Sequence, residues 1–375
     1  MIKRIYIDNF KCLVNFELKP EGINLFFGKN GSGKTAVFSA LRLIKDLVVE
    51  GKKLDELVDS WSLTRWDLRE IQQFELDIDS NGGMYSYLLK IEHSKDLGLS
   101  RIKEEKLSFN GNPLFEYSVS DGEGTAQLYR DDFSAGPSYP VDWTRSGISA
   151  LQERKDNQLL SNFKKRLSRV IIVQICPGNM LAESRQESRN PTADLSNFAS
   201  WYRYLSQEYQ GKTIDLTQEL REIMPGFDSF RLAEAGEARI LMAGFQEGGK
   251  PKKKTTFYRF SELSDGQRAL IALYTLLICQ PDEYFTLCID EPENNLALPE
   301  IQPWLDLLDE MVQEEAGQAL LISHHPNLIN YLADNQGVWF EREHNGPVRS
   351  QRILPSDKEG LSLAKLIEMG WIYDD

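Results

Sequence analysis

Two glycines, at 28 and 33, with Lys34 and Thr35 directly behind the second, restrict this chain more than anything else in it. The eight residues Gly28-Lys29-Asn30-Gly31-Ser32-Gly33-Lys34-Thr35 follow a short apolar run, Ile23-Asn24-Leu25-Phe26-Phe27. Behind them, apolar residues fall at Val37, Leu41, Ile44 and Val48. An apolar run ending in glycine reads as a buried strand feeding a loop, and the later spacing reads as a helix. Glycines let the backbone curl until successive N–H groups face one point, and the helix behind adds its positive end. The pattern Gly-x4-Gly-Lys-Thr in that setting is a phosphate cradle. Gly28, Asn30, Gly31, Ser32 and Gly33 would form its wall. Lys34 would reach the β- and γ-phosphates of a nucleoside triphosphate, and Thr35 would ligate Mg²⁺. The loop alone does not choose among kinases, GTPases and ATPases.

The rest of the chain reads as alternating strand and helix around two irregular stretches. Strands are expected near residues 5–10 and 14–18. From 74 to 130 the pattern is strand-like: Phe74, Leu76 and Ile78 alternate with Glu75, Asp77 and Asp79, and glycine turns follow. This predicts an antiparallel lobe. Residues 131–147 read as loop, 148–169 as helix and Val170-Ile171-Ile172-Val173 as a buried strand. The stretch 179–235 reads as mostly helical, with no sustained heptads and so no long coiled-coil arm. A hairpin is expected from 239–245 and 255–260. A helix from Ser264, strands at 285–289 and 319–322, a helix at 299–313, two terminal strands and a last helix at 361–369 complete the chain. The expected class is α/β, with a mixed, partly parallel sheet, an antiparallel β lobe and a short helical insertion. The expected divisions are 1–178, 179–235 and 236–375.

Three downstream motifs narrow the chemistry. Phe285-Thr286-Leu287-Cys288-Ile289 ends in Asp290-Glu291, which places two acids at the carboxyl end of a buried strand, where α/β proteins hold ligands. Asp290 would hold the metal through water, and Glu291 would orient or deprotonate an attacking water. One acid for the metal and one for the water is the logic of hydrolysis rather than transfer. Leu263-Ser264-Asp265-Gly266-Gln267-Arg268 precedes an apolar helix; Ser264 can cap it, and Gly266 lets a phosphate approach the backbone. Ile322-Ser323-His324-His325-Pro326 follows another apolar strand, and one of its histidines could contact the γ-phosphate. Adjacent histidines point in different directions and no third ligand is near in sequence, so a metal site is the weaker reading.

In this order these motifs, with the opening Ile7-Asp8-Asn9-Phe10-Lys11-Cys12-Leu13, resemble the ABC-type P-loop ATPase heads of the Rad50/SMC/RecF/OLD group. The chain is most similar to their compact bacterial AAA_21-like members, many of which work in anti-phage defence beside a nuclease. The resemblance covers residues 1–50 and 255–330 firmly and the middle loosely. It implies ATP and Mg²⁺ as cofactors. It also implies a head-to-tail homodimer, with each ATP between one subunit's Gly28–Thr35 and the other's Ser264, Gly266 and Gln267. By motif alignment the catalytic set would be Lys34, Glu291 and a switch histidine at His324. The metal would fall to Thr35 and Asp290, and the Q-loop glutamine to Gln174, with Gln72 and Gln73 as rivals. Two positions depart from the family: Ala297-Leu298-Pro299 stands where His-Pro often follows Asn-Asn-Leu, and Asp265 replaces a glycine. The resemblance points to a partner effector, a nuclease. A scaffold that binds nucleotide with little turnover, or a RecF-like ATPase acting on DNA, are the alternatives.

Composition agrees with a globular protein and limits partners. The net charge of −14 gives nucleic acid little non-specific attraction, although Lys250, Lys252, Lys253 and Lys254 form a local basic cluster. No apolar run is long enough to cross a bilayer and the N-terminus does not read as a signal peptide, so the cytoplasm is expected. Cys12, Cys176, Cys279 and Cys288 read as buried reduced thiols. Glu75, Asp77 and Asp79 have the spacing of nuclease acids, but a solvated strand face is the simpler reading. No guanine-reading Asn/Thr-Lys-x-Asp motif is present.

Overall fold

The computed structural model describes residues 1–353, apart from 81, 95–98, 121–122, 247–253, 281–284, 315–316 and 345, together with Lys365. In chain order the first elements are β1 (Ile2–Asp8), β2 (Phe16–Leu18), β3 (Ile23–Gly28), α1 (Lys34–Val48) and α2 (Leu54–Leu57). Strands β4 (Ile71–Ser80), β5 (Gly83–Ser94), β6 (Leu99–Phe109), β7 (Asn112–Ser120), β8 (Glu123–Tyr129) and β9 (Ala135–Pro140) follow, then α3 (Gln158–Ser168) and β10 (Val170–Gln174). Next come β11 (Glu183–Ser184), α4 (Phe198–Glu208), α5 (Gln210–Ile223), β12 (Phe227–Ala235), β13 (Ala238–Gln246), β14 (Thr255–Arg259) and α6 (Asp265–Ile278). The last are β15 (Thr286–Asp290), α7 (Leu298–Glu314), β16 (Gln318–Ile322), α8 (Pro326–Gln336), β17 (Gly337–Arg342) and β18 (Val348–Arg352).

The chain forms two compact units. The first comprises Met1–Val170, Tyr284–Thr286 and Leu328–Asp375. Its antiparallel lobe is an eight-stranded sheet in the order β2-β1-β4-β5-β6-β7-β8-β9. Alternation along β4 buries Phe74, Leu76 and Ile78 and leaves the intervening acids on the other face. Those acids are ion-paired to β1: Arg4 Nη1 lies 2.6 Å from Glu75 and 3.8 Å from Asp77, and Lys3 lies 3.8 Å from Asp79. The simpler reading expected a solvated strand face; the face is partly exposed and its acids are ion-paired to β1. In the same unit β3 pairs parallel to β17, which pairs antiparallel to β18. Phe26 packs on Phe38 of α1 and on Phe340 of β17, with ring centroids 6.1 and 5.1 Å apart.

The second unit comprises Ile171–Glu283 and Leu287–Asn327. In its sheet β10, β15 and β16 are neighbours, and β15 and β16 are buried throughout. A continuous apolar run needs cover on both faces. Helix α6 is as apolar, with every residue from Ala269 to Leu277 buried. Helix α7 packs on α6 through Trp304, whose indole N–H donates to the Leu273 carbonyl at 3.0 Å. A second, antiparallel sheet runs β11-β13-β12 with β14 on β13, and Phe198 of α4 stacks on Phe260 at 4.8 Å.

Four local expectations change. The second strand begins at Phe16, not at 14. Residues 135–140 form the edge strand β9 rather than loop: Pro137 and Pro140 lack an N–H, but an edge strand paired only to β8 tolerates them. Residues 148–157 are not helical, because the start of α3 is set from far away. The Asp131 carboxylate accepts from the N–H groups of Gln158 and Leu159 at 2.8 and 2.9 Å. Of the stretch 179–235 expected to be mostly helical, only α4 and α5 are α-helix: 180–197 is loop apart from β11, and the end is strand β12, in register with β13 after Pro225 and a left-handed Gly226 (φ 82°) stop the helix. The expected hairpin of β13 and β14 is present, while Lys250, Lys252 and Lys253 at its tip and the helix at 361–369, save Lys365, lie outside the described residues. Of the thiols, Cys279 and Cys288 are buried, but Cys12 and Cys176 are half-exposed.

The lobe contains a buried acid, Glu105, which accepts from Tyr87 Oη at 2.9 Å, Ser146 Oγ at 2.5 Å and the Gly147 N–H at 2.9 Å. Burial raises its pKa despite those three bonds. A folded-state pKa above the unfolded value means that stability falls as pH rises above the ordinary glutamate range. Glu105→Gln removes that titration, so its melting temperature should gain on the wild type as pH goes from 5 to 8. Parallel melting curves across that range would contradict this.

Candidate functional site

The first unit carries the phosphate loop. Gly28, Gly31 and Gly33 have φ of 144°, 79° and 97°, and Gly33 is the left-handed N-cap of α1. Gly28 is forced by more than its dihedral: a Cβ there would sit 2.2 Å from the Phe340 carbonyl oxygen of β17. Only glycine lets β17 run this close to the end of β3. Lys29, Asn30, Gly31 and Thr35 are exposed, while Ser32 and Lys34 are buried. The Lys34 ammonium donates to the Gly28 and Lys29 carbonyls at 3.0 and 3.1 Å and contacts Ser32 Oγ at 3.3 Å. These are neutral oxygens, which a phosphate can replace as a stronger partner for the cation. The loop therefore fits an anionic ligand on its own geometry.

A cleft runs along the face of α1 that begins at Thr35. It has a volume of about 490 Å³, and Phe10, Lys11, Ser39, Arg42 and Trp61 border it. Ser39 Oγ donates to the Thr35 carbonyl at 2.9 Å and accepts from Lys11 Nζ at 2.9 Å. Burial lowers the pKa of Lys11, and Arg42 adds to the effect. Local spacing gave no sign of this cleft, because its walls come from three separate segments.

The second unit carries the acid pair, the capped helix and the histidine loop. Asp290 ends β15 and is buried. Glu291 turns the chain in a left-handed conformation (φ 52°), and its N–H donates to the Ile322 carbonyl at the end of β16 at 2.8 Å. Its carboxylate accepts from Asn294 Nδ2 at 2.6 Å. Ser323 Oγ, fully buried, donates to Glu293 Oε1 and accepts from the His325 N–H at 2.9 Å. The His325 ring nitrogen Nδ1 accepts from the Asn327 N–H at 3.2 Å, in the first turn of α8. His325 is thus engaged at a helix start, and His324 is exposed beside it. Ala297-Leu298-Pro299 begins α7, with the Ala297 N–H held by Glu300 Oε2 at 2.8 Å and Pro299 in the first turn.

Ser264 is the N-cap of α6 and closes a capping box with Gln267: the Gln267 N–H donates to Ser264 Oγ at 3.2 Å, and the Ser264 N–H donates to Gln267 Oε1 at 3.1 Å. Ser264 and Asp265 are exposed. A Cβ on Gly266 would meet the Asn295 carbonyl oxygen at 2.8 Å, so the helix start and the turn after the acid pair are in contact within this unit. Asp265 is ion-paired to Arg268 at 2.5 Å. Of the three candidate glutamines, Gln174 is exposed at the end of β10. Gln72 is buried between the Asn9 carbonyl (3.1 Å) and His93 (2.8 Å), and Gln73 donates to Glu75. Glu293 received no role from the sequence. It is one acid in an acidic run, and only burial, 8% exposed with the Ser323 bond, sets it apart.

The comparisons agree with this division of motifs. Residues 1–104 match the family described as "AAA ATPase domain", and residues 186–330 match the family described as "AAA domain, putative AbiEii toxin, Type IV TA system". A "DNA replication and repair protein RecF" from Chlorobium phaeovibrioides is 24% identical over 230 residues, which are 60% of this chain and 55% of that protein. The chain thus spans about half the length of that curated relative. An SMC head bound to the C-terminal winged-helix domain of ScpA superposes with a TM-score of 0.54 at 14% identity, over 97% of this chain and 99% of that one. The SMC head domain of Thermotoga maritima gives 0.49 at 16% identity, over 94% and 98%. The fold is that of an SMC head, a mixed α/β fold with a parallel sheet and an antiparallel β lobe. Two stretches of the chain are thus similar to AAA-type ATPase domains, one at its N-terminal end and the other over its second half.

Lys34→Ala removes the cation at the centre of the loop. It should abolish ATP binding in calorimetry while leaving the melting temperature of the nucleotide-free chain within a few degrees; retained affinity would remove the loop from the site.

Proposed function

We propose that this ATPase works as a head-to-tail dimer, each ATP lying between the Gly28–Thr35 loop of one copy and the Ser264–Gln267 helix start of the other. The observation that carries the reading is the exposure of Ser264 and Asp265 at the capped N-terminus of α6, an anion-binding end directed at solvent. Lys34 holds the β- and γ-phosphates, and the Gly28, Asn30, Gly31, Ser32 and Gly33 segment cradles them. Thr35 and Asp290 are oxygen donors of the kind Mg²⁺ takes in small number beside substrate phosphates. The metal, when bound, neutralises charge on the phosphates. Glu291 orients and deprotonates the attacking water, His324 contacts the γ-phosphate, and Gln174 serves as the Q-loop residue. No helix among the described residues is long and apolar enough to cross a membrane.

In this reading, ATP binding closes the dimer and hydrolysis reopens it, which gates a partner effector, a nuclease in anti-phage defence. The likeness of residues 186–330 to an AAA domain described as a putative toxin of a toxin–antitoxin system is what favours a defence setting. The likeness to a protein named for DNA replication and repair favours a second reading, action directly on DNA. A salt-dependent DNA-binding titration with the lysines at 250 and 252–254 neutralised separates the two.

Complementation tests the shared site. Lys34→Ala and Ser264→Arg should each abolish phosphate release, and mixing the two inactive chains should restore it, because one of the two sites in a mixed dimer is then intact. A mixture as inactive as its parts would contradict sharing. Glu291→Gln should abolish turnover, by at least ~100-fold if the glutamate acts as a general base, and trap an ATP-bound dimer in light scattering; wild-type turnover would remove Glu291 from its role.

A further inference from the structure

Two loops in the second unit carry the residues assigned to the γ-phosphate end of the reaction. One is the turn after β15, with Glu291; the other is the segment after β16, with His324. They are joined twice. The first tie is backbone, from the Glu291 N–H to the Ile322 carbonyl at 2.8 Å. The second is buried and made by side chains. Ser323 Oγ donates to Glu293 Oε1, and the His325 N–H donates to Ser323 Oγ at 2.9 Å. Ser323 is flanked by Ile322 and His324, and Glu293 lies two residues beyond Glu291, so the second tie brackets both candidate groups.

Glu293 is unusual for a residue that only fills space. It is 8% exposed, and its second oxygen, Oε2, is buried with no hydrogen-bond partner among the described residues. An unpaired buried carboxyl oxygen costs free energy, and an apolar residue would avoid that cost. Burial, opposed in part by the Ser323 bond and reinforced by the Glu291 charge, raises its pKa and so favours the neutral acid. Glu291 needs such support: it is a non-glycine residue in a left-handed conformation, which persists only where neighbours over-determine it.

We infer that Glu293 is a positioning residue for hydrolysis: through its bond to Ser323 it locks the turn bearing Glu291 to the loop bearing His324, so that the water-orienting carboxylate and the γ-phosphate contact are held as one piece. The inference rests on the assignment of Glu291 and His324 made above. Glu293 touches neither nucleotide nor water in this account. Its loss leaves the backbone tie and the phosphate loop intact, so turnover falls while ATP affinity does not.

The test is steady-state phosphate release and calorimetric ATP binding on the full chain for Glu293→Ala, Ser323→Ala, their double variant and Glu293→Gln, with Glu291→Gln alongside. Glu293→Ala and Ser323→Ala should each lower kcat about 10-fold or more with Kd for ATP within about 2-fold, the pattern of lost transition-state positioning. The double variant should fall no further than Ser323→Ala, since Glu293→Ala removes only the Ser323–Glu293 bond, which Ser323→Ala already lacks. Glu293→Gln keeps an oxygen that accepts from Ser323 and should retain kcat within about 3-fold, because it is the bond and not the acid that matters. Wild-type kcat in Ser323→Ala, additive losses in the double, or Glu293→Gln as slow as Glu293→Ala would each overturn the inference. Should Glu293→Ala not fold, Ser323→Ala and Glu293→Gln decide alone. Full turnover in Glu291→Gln would instead remove the underlying assignment, whatever the Glu293 variants do.

Discussion

At Gly28 the carbonyl of Phe340 comes so near that no side chain fits, and much of the first unit is arranged around that approach. Parallel pairing of β17 on β3 fixes where β3 ends and the loop begins. The aromatic rings of Phe26, Phe38 and Phe340 fill the space beneath it, and α1 leaves from a left-handed Gly33. The loop then curls back on itself, with Lys34 donating to the carbonyls of Gly28 and Lys29. A rigid scaffold with its reactive groups on the loops it holds is the usual division of labour in such folds.

The second unit solves a different problem, holding two acids and a histidine loop at the ends of buried strands. Strands buried on both faces have little freedom to shift register, so Asp290 and Ile322, the last residues of β15 and β16, are placed by packing. What packing does not set is the turn beyond each strand. There the structure uses hydrogen bonds: Asn294 on the Glu291 carboxylate, the Glu291 N–H on Ile322, Ser323 on Glu293 and His325 at the start of α8.

Much of this was legible in the sequence wherever one local pattern decides the structure. The phosphate loop, the antiparallel alternation of β4, the capping box of Ser264 and Gln267, and the buried strands β15 and β16 each declare themselves within a dozen residues. The misreadings share one cause, a partner that the local spacing does not reveal. Helix α3 starts late because Asp131 caps it; β9 exists despite two prolines because β8 offers an edge. Strand β12 was hidden because Phe227 and Phe230 continue the helical spacing of α5, although Pro225-Gly226 marked the stop. Glu293 and the cleft along α1 were invisible for the same reason, since burial and a cavity are properties of the packed chain.

In the proposed reading each nucleotide site is completed by a second copy, and phosphate release per chain at saturating ATP and Mg²⁺ over a wide range of protein concentration reads this out. If the Ser264 end of another copy completes the site, specific activity should rise steeply with concentration and then level off as the dimer saturates. Specific activity that stays constant down to the lowest concentrations, where size measurement shows a monomer, would contradict it.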